Sequence, residues 1–368
     1  MRRKAILALL GLGAIVFLAT SARSLPGRRP TEIHDPALPL HASPNLSGYQ
    51  PQGPKVAGVA LGLFAEDTGF SYGPLLDEIV ALGATHVALI VPLYQINSAS
   101  TELFLHTRFS PTLEAVSEAI REAKRAGLDV TVFPIVRLLS PRSPQEWRGT
   151  LAPTNRDEWF RNYGQRLGEL AALAMLTEAS RLVVGSELST LDGDLPHWKD
   201  LIRNIRGSFP GTLVYSANWD HYADATIFEL VDELGVTGYF SLRNETDPSD
   251  PEKMAQRWRT LGNEIENTLA RYNKPFVFTE VGYRSRKNAT AAPWDENTGG
   301  DPDPEEQVRG FEAFRQTWTK PGLPHPRLDG LFIWNYYGYG GPGSAGYTPR
   351  GKPALKIVRE ILSDLRER

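Results

Sequence analysis

The chain has 368 residues, room for one large domain or two ordinary ones, and its 40 Lys plus Arg against 43 Asp plus Glu leave a net charge of −3. That balance is too even for a nucleic-acid-binding surface, while 41% hydrophobic and 23% charged residues suit a chain that buries a sizeable core. With no cysteine there are no disulfides, thiolate metal sites or cysteine nucleophiles, and the seven histidines never fall at an HxH or HExxH spacing. Chemistry without a cofactor or metal is therefore expected.

Arg2, Arg3 and Lys4 precede an uncharged apolar run from Ala5 to Ala19, followed by the small residues Thr20, Ser21 and Ala22. This is the layout of a signal peptide over residues 1–22, or of an uncleaved membrane anchor, and in either case the remainder is expected to be exported. Residues 23–54 hold seven of the 28 prolines, with Gly and Ser between them, and read as a Pro-rich tether. The folded unit is expected over residues 55–368.

From Lys55 onward, short β-branched apolar runs alternate with longer segments of helical period. The expected strands are Val56 to Phe64, His86 to Tyr94, Asp129 to Arg137, Arg181 to Glu187, Thr212 to Asn218, Leu234 to Phe240, Pro275 to Glu280 and Leu328 to Trp334. Their near-continuous apolar character suits strands covered on both faces, as in a parallel sheet. Between them, Ser110 and Pro111 open a helix with Leu113, Val116 and Ile120 on one face, and Asp250 and Pro251 open another toward Tyr272. Further helices are expected at Leu75 to Leu82, Asp157 to Met175, His197 to Ile205, Thr226 to Leu234, Glu305 to Trp318 and Ala354 to Leu365. Eight such βα units predict an α/β fold, a single-domain (β/α)8 TIM barrel, with a doubly wound open sheet as the alternative.

In such a barrel the functional groups sit at the C-terminal ends of the strands. Those ends carry Tyr94, Arg137, Glu187, Asn218, Trp219, Tyr239, Glu280, Tyr283 and Trp334. Glu187 and Glu280 each terminate an apolar strand, where a carboxylate is costly unless it is paired or used. Glycosidic cleavage needs a proton for the leaving oxygen and a carboxylate against the oxocarbenium-like centre, and two facing carboxyls supply both. Flat aromatic faces offer platforms to sugar rings, while Asn and Tyr hydrogen-bond hydroxyls.

The segments GSEL around Glu187, FTEVGY around Glu280 and FIWNYY around Trp334 resemble the corresponding strands of clan A glycoside hydrolases, and within the clan most closely family 113, whose activity is endo-β-1,4-mannan hydrolysis. The resemblance implies that Glu187 is the acid/base, Glu280 the nucleophile, Trp334 the platform beneath the sugar at the cleavage point, and Tyr239 the tyrosine that hydrogen-bonds the nucleophile. Tyr94, Asn218, Trp219 and Tyr283 complete the expected substrate-binding set. Where many clan members place Asn directly before the acid/base, this chain has Ser186, so mannan over glucan rests on the resemblance alone. The expected activity is retaining hydrolysis of a β-linked hexose polysaccharide or oligosaccharide, mannan first. The alternative is an inactive barrel that binds envelope or extracellular polysaccharide.

Weaker signals have plainer readings. Gly338, Gly340 and Gly343 match GxGxxG, but Pro342 interrupts the loop and no helix follows directly. His86 opens a strand far from the barrel mouth and reads as a core or capping histidine. His221 either meets a sugar or packs a loop, Asp220 beside it is a third candidate carboxylate, and Arg137 either holds a catalytic carboxylate or pairs with a surface acid. Residues 288–306 form a long acidic loop, either one wall of a substrate cleft with Trp294 as a contact or a surface excursion. Its acids Asp295, Glu296, Asp301 and Asp303 lack EF-hand calcium spacing.

Overall fold

The computed structural model describes residues 54–67, 69–323 and 325–368, so the expected signal peptide or anchor and almost all of the expected tether lie outside the described residues. The eight apolar runs become β1 (Val56–Gly62), β2 (His86–Gln95), β3 (Asp129–Leu138), β4 (Arg181–Ser186), β5 (Thr212–Ala217), β6 (Glu233–Thr237), β7 (Phe276–Val281) and β8 (Leu328–Ile333). Each strand pairs in parallel with the next, and β8 returns to β1, closing the barrel.

Alternation along each strand feeds two separate cores. In β2, Val87, Leu89, Val91 and Leu93 join the layer under the helices, with Ile79, Val116 and Trp159, whereas Ala88 and Ile90 join the barrel interior with Phe133, Val214 and Phe332. Both faces of every strand are thereby covered, which is why the runs lack a polar period.

The helices are α1 (Gly73–Ala81), α2 (Leu113–Arg125), α3 (Arg156–Leu176), α4 (Leu195–Ser208), α5 (Pro251–Leu269), α6 (Pro304–Trp318) and α7 (Ala354–Arg366). Asp250 caps α5 as its sequence predicts, its side chain accepting from Glu252 N with Pro251 in the first turn. At α2 the cap is Thr112, accepting from Ala115 N, while the expected cap Ser110 instead donates to Pro92 O at 2.7 Å and ties the loop to β2.

The helix expected at Thr226 to Leu234 is a single 3-10 turn, Thr226–Glu229. Residues 219–224 form turns and the chain enters β6 at Glu233, which leaves only a short connection for the helix. Among the described residues no helix is long and apolar enough to cross a membrane.

The floor of the barrel is polar and paired. Arg181 reaches Glu233 at 3.2 Å and Asp329 at 3.1 Å, with Glu233 only 1% exposed. His86 at this end hydrogen-bonds Thr85 Oγ1 at 2.7 Å, and burial pushes its pKa down to about 4, so it is a neutral core residue.

Candidate active site

The ladder shifts register between Val183 and Gly185 in β4, ahead of Glu187, and between Phe278 and Val281 in β7, across Glu280. Such irregularities re-aim side chains at barrel rims. Glu187 is further turned by a left-handed backbone, φ 52°, a conformation unusual for a residue with a side chain and one that clusters at functional sites. Its amide donates to Ser216 O at 2.7 Å, which fixes that conformation.

Both glutamates are nearly sealed from solvent, at 3% for Glu187 and 1% for Glu280. Each has one defined partner. The Arg148 guanidinium donates to Glu187 Oε2, and the Tyr239 hydroxyl donates to Glu280 Oε2 at 2.8 Å. Glu280 Oε1 is buried without a hydrogen bond, and so is the Ser186 hydroxyl beside Glu187. A buried carboxylate oxygen left free in this way is what a nucleophile offers.

Burial, and next the charge of Glu187, push the Glu280 pKa up to about 8, against the opposing pull of Arg148 and the Tyr239 hydrogen bond. Tyr239 is itself raised, by burial first and then by Glu280, so it remains a proton donor to the carboxylate. Two carboxyls close enough to influence one another, one of them with its proton held up into the neutral range, can divide acid and base work.

Trp334 begins just past β8, its amide bonded to Val281 O at 2.8 Å. It is 6% exposed and belongs to the inner cluster with Tyr239 and Phe332, against which Phe64, Trp219 and Tyr347 pack. The two strand-end glutamates thus lie in an aromatic surround at the C-terminal end of the barrel.

A family model for Glycoside Hydrolase Family 113 matches residues 71–338. The chain belongs to that family. No curated protein matches the sequence. Among solved structures, a family 113 beta-mannanase from Alicyclobacillus acidocaldarius in complex with ManMIm is similar with a TM-score of 0.74 at 20% identity, over 85% of this chain and 98% of that one. A family 113 beta-1,4-mannanase complex is similar at 0.72 and 20% identity, over 84% and 99%. A family 5 mannosidase from Rhizomucor miehei reaches 0.58 at 10% identity, over 86% and 94%. These likenesses establish the same barrel, and the family match makes this chain a glycoside hydrolase of family 113.

The other residues expected at the family 113 site divide. Asn218 lies at the end of β5, its amide donating to Asp220 Oδ1 at 2.7 Å, so Asp220 serves Asn218 and is not one of the sealed pair. Trp219 is half-buried and stacks on Trp294, ring centroids 4.8 Å apart at 22°. Tyr94 is 7% exposed at the end of β2, packed on His106 and Phe109.

Tyr283 does not face the mouth. It is fully buried between β7 and the helices, its hydroxyl accepting from Trp258 Nε1 at 3.1 Å and its ring edge-on to Phe311 at 5.3 Å. Gly310 of α6 makes the hollow for it, since a Cβ there would stand 2.6 Å from the ring.

Arg137 is exposed, and the arginine on Glu187 is Arg148, carried by the 3-10 turn Arg148–Thr150 after β3. His221 faces Asp192 at 3.3 Å in a loop-packing contact. The 288–306 loop is held in place: Arg284 donates to the carbonyls of Asp295, Glu296 and Thr298, and Asp295 pairs with Arg286 at 2.9 Å. Among the described residues no group of His, Asp and Glu is arranged to hold a metal.

Proposed function

We propose that this chain is a retaining β-mannan hydrolase acting by double displacement, with Glu280 as nucleophile and Glu187 as acid/base. The observation that carries the reading is the asymmetry of the pair: Glu280 has one oxygen fixed by Tyr239 and one free, while Glu187, across the mouth, is steered by Arg148. In the first step Glu187 protonates the leaving oxygen while Glu280 attacks the anomeric carbon and forms a glycosyl ester. In the second, Glu187 takes a proton from water, which attacks the same carbon and releases Glu280.

For attack the proton must sit on Glu187 and the charge on Glu280. Burial opposes the charge on Glu280, while Arg148 and the Tyr239 hydrogen bond favour it. Mannan as substrate is supported by the family and by what the similar solved enzymes are named for. The exported location rests on residues 1–22 of the sequence alone, and the division into residues 1–22, 23–54 and 55–368 likewise belongs to this proposal.

The test is reducing-end release from β-mannan, β-glucan and xylan, with proton NMR of the first product to fix its anomeric form. Mannan preferred, with the β-anomer released first, is the expected result. No release from any of the three overturns the reading.

A further inference from the structure

Two titratable groups beside Glu187 have no part in the mechanism above. The chain leaves Glu187 through a turn in which Leu188 O accepts from Leu191 N at 2.8 Å and from Asp192 N at 3.0 Å, while Leu188 N donates to the Tyr215 hydroxyl at 3.2 Å. Asp192 closes this turn with its side chain only 3% exposed and its Oδ2 without a hydrogen bond. A carboxylate buried in this way is costly unless a cation meets it.

The cation is His221. Its Nε2 stands 3.3 Å from Asp192 Oδ1, and it is carried by the turn after β5, where His221 N and Tyr222 N both donate to Asn218 O at 2.9 Å. The pair therefore bridges the connection that follows Glu187 to the connection that follows β5. His221 meets Asp192 across this bridge and Asp224 and Asp220 on its own turn; Asp192 does most to raise its pKa, against the opposing effect of burial. On the other side, burial raises the Asp192 pKa, and His221 and the nearby Tyr215 hydroxyl oppose it. Tyr215 is fully buried and feels the charge of both Asp192 and Glu187, so the pair lies within electrostatic reach of the same hydroxyl as Glu187.

The backbone gives this bridge its importance. Glu187 holds φ at 52°, and a residue with a side chain persists in that conformation only where its surroundings impose it. Ser216 O fixes Glu187 through its own amide, and the turn from Leu188 to Asp192 must fix it from the other side.

We propose that Asp192 and His221 form a positioning pair for the acid/base: with His221 protonated, the pair locks the turn after Glu187 onto the β5 connection and holds the Glu187 carboxyl where it protonates the leaving oxygen. This rests on the reading of Glu187 as the acid. Loss of the His221 proton at high pH dissolves the pair, and protonation of Asp192 at low pH does the same, so the lock is complete only in the window between them.

The test compares mannotetraose, whose sugar leaving group needs protonation, with a dinitrophenyl β-mannoside, whose leaving group does not. For His221→Ala, kcat/KM on mannotetraose should fall roughly 10-fold more than on the aryl mannoside. His221→Gln, which can still donate to Asp192, should recover part of the difference, and Asp192→Asn should reproduce the contrast. The ratio of wild type to His221→Ala on mannotetraose removes the ionisation of Glu187 itself, and it should shrink as pH rises through the His221 titration. Thermal melting checks that each variant folds, and the His221 variants carry the test if Asp192→Asn does not. Equal losses on the two substrates, or a ratio that does not change with pH, would overturn the positioning pair, as would a His221 contrast that folded Asp192→Asn lacks. If Glu187→Gln itself shows no contrast between the substrates, the reading of the acid fails and the pair with it, an outcome distinct from a sensitive Glu187→Gln with insensitive pair variants.

Discussion

The Tyr239 hydroxyl donates to Glu280 Oε2 at 2.8 Å while Oε1 of the same carboxylate is buried and unpartnered. One oxygen is anchored so that the other points, and the hydrogen bond favours the ionised form that must attack. Tyr239→Phe should lower kcat/KM roughly 10- to 150-fold, the equivalent of about 1.5–3 kcal/mol for a hydrogen bond to a charged group. Losing a contact that pulls the Glu280 pKa down also moves the acidic limb of the pH profile to higher pH. An unchanged acidic limb would mean that Tyr239 only packs.

Arg148 and Glu187 yield a second expectation. Glu187 matters most when the leaving oxygen is a poor one, because activated aryl leaving groups depart with little protonation. Glu187→Gln should therefore lose up to ~10²- to 10⁴-fold on mannan but far less on a dinitrophenyl mannoside in the first step. Arg148→Gln should show the same selectivity in weaker form, since it disturbs the placement of the acid without removing it. Lysine at position 148 should rescue little, lacking the planar fork of guanidinium. Equal losses across leaving groups would separate Arg148 from the acid.

Glu280 also makes stability depend on pH. Its pKa is pushed up to about 8, so between the ordinary carboxyl range and that value the folded chain holds a proton that the unfolded chain releases. Stability contributed at this site is present at low pH, falls as pH rises through the window, and is lost above it. Glu280→Gln removes the penalty. Its melting temperature should match wild type near pH 4, exceed it increasingly up to about pH 8, and hold a constant margin above. A margin independent of pH would contradict the raised pKa.

Trp334, at 6% exposed, packs in the inner cluster with Tyr239, whose hydroxyl reaches Glu280. Truncation to Ala should cost about 3–5 kcal/mol of stability, so Trp334→Phe is the informative change. Phe keeps much of the packing and loses platform area. The expected result is a melting temperature within a few degrees of wild type with a clear loss of kcat/KM; intact activity per folded molecule would leave Trp334 a core residue only.

The fold and the two sealed strand-end glutamates are legible for the same reason. Strands covered on both faces read as unbroken apolar runs, and a glutamate ending such a run stands out, as Glu187 and Glu280 do. Nearness to a strand end does not place Tyr283, because the face it occupies decides whether it meets the mouth. Counting alternate residues on from Glu280 puts Tyr283 on the helix side, where Trp258 and Gly310 receive it. Arg148 carried no signal, lying in an irregular loop 39 residues before its partner, so only the closed barrel brings the two together. The missing helix before β6 reflects a length limit set by where the strand must begin, which periodicity alone does not encode.

The most direct test of the account is Glu280→Ala with and without azide on an activated aryl β-mannoside. The variant should fold, lose essentially all turnover, and recover part of it with azide as α-mannosyl azide, the product of attack from the side that Glu280 vacated. Turnover near wild type in Glu280→Ala, or rescue that gives only the β-azide, would contradict Glu280 as the nucleophile of a retaining enzyme.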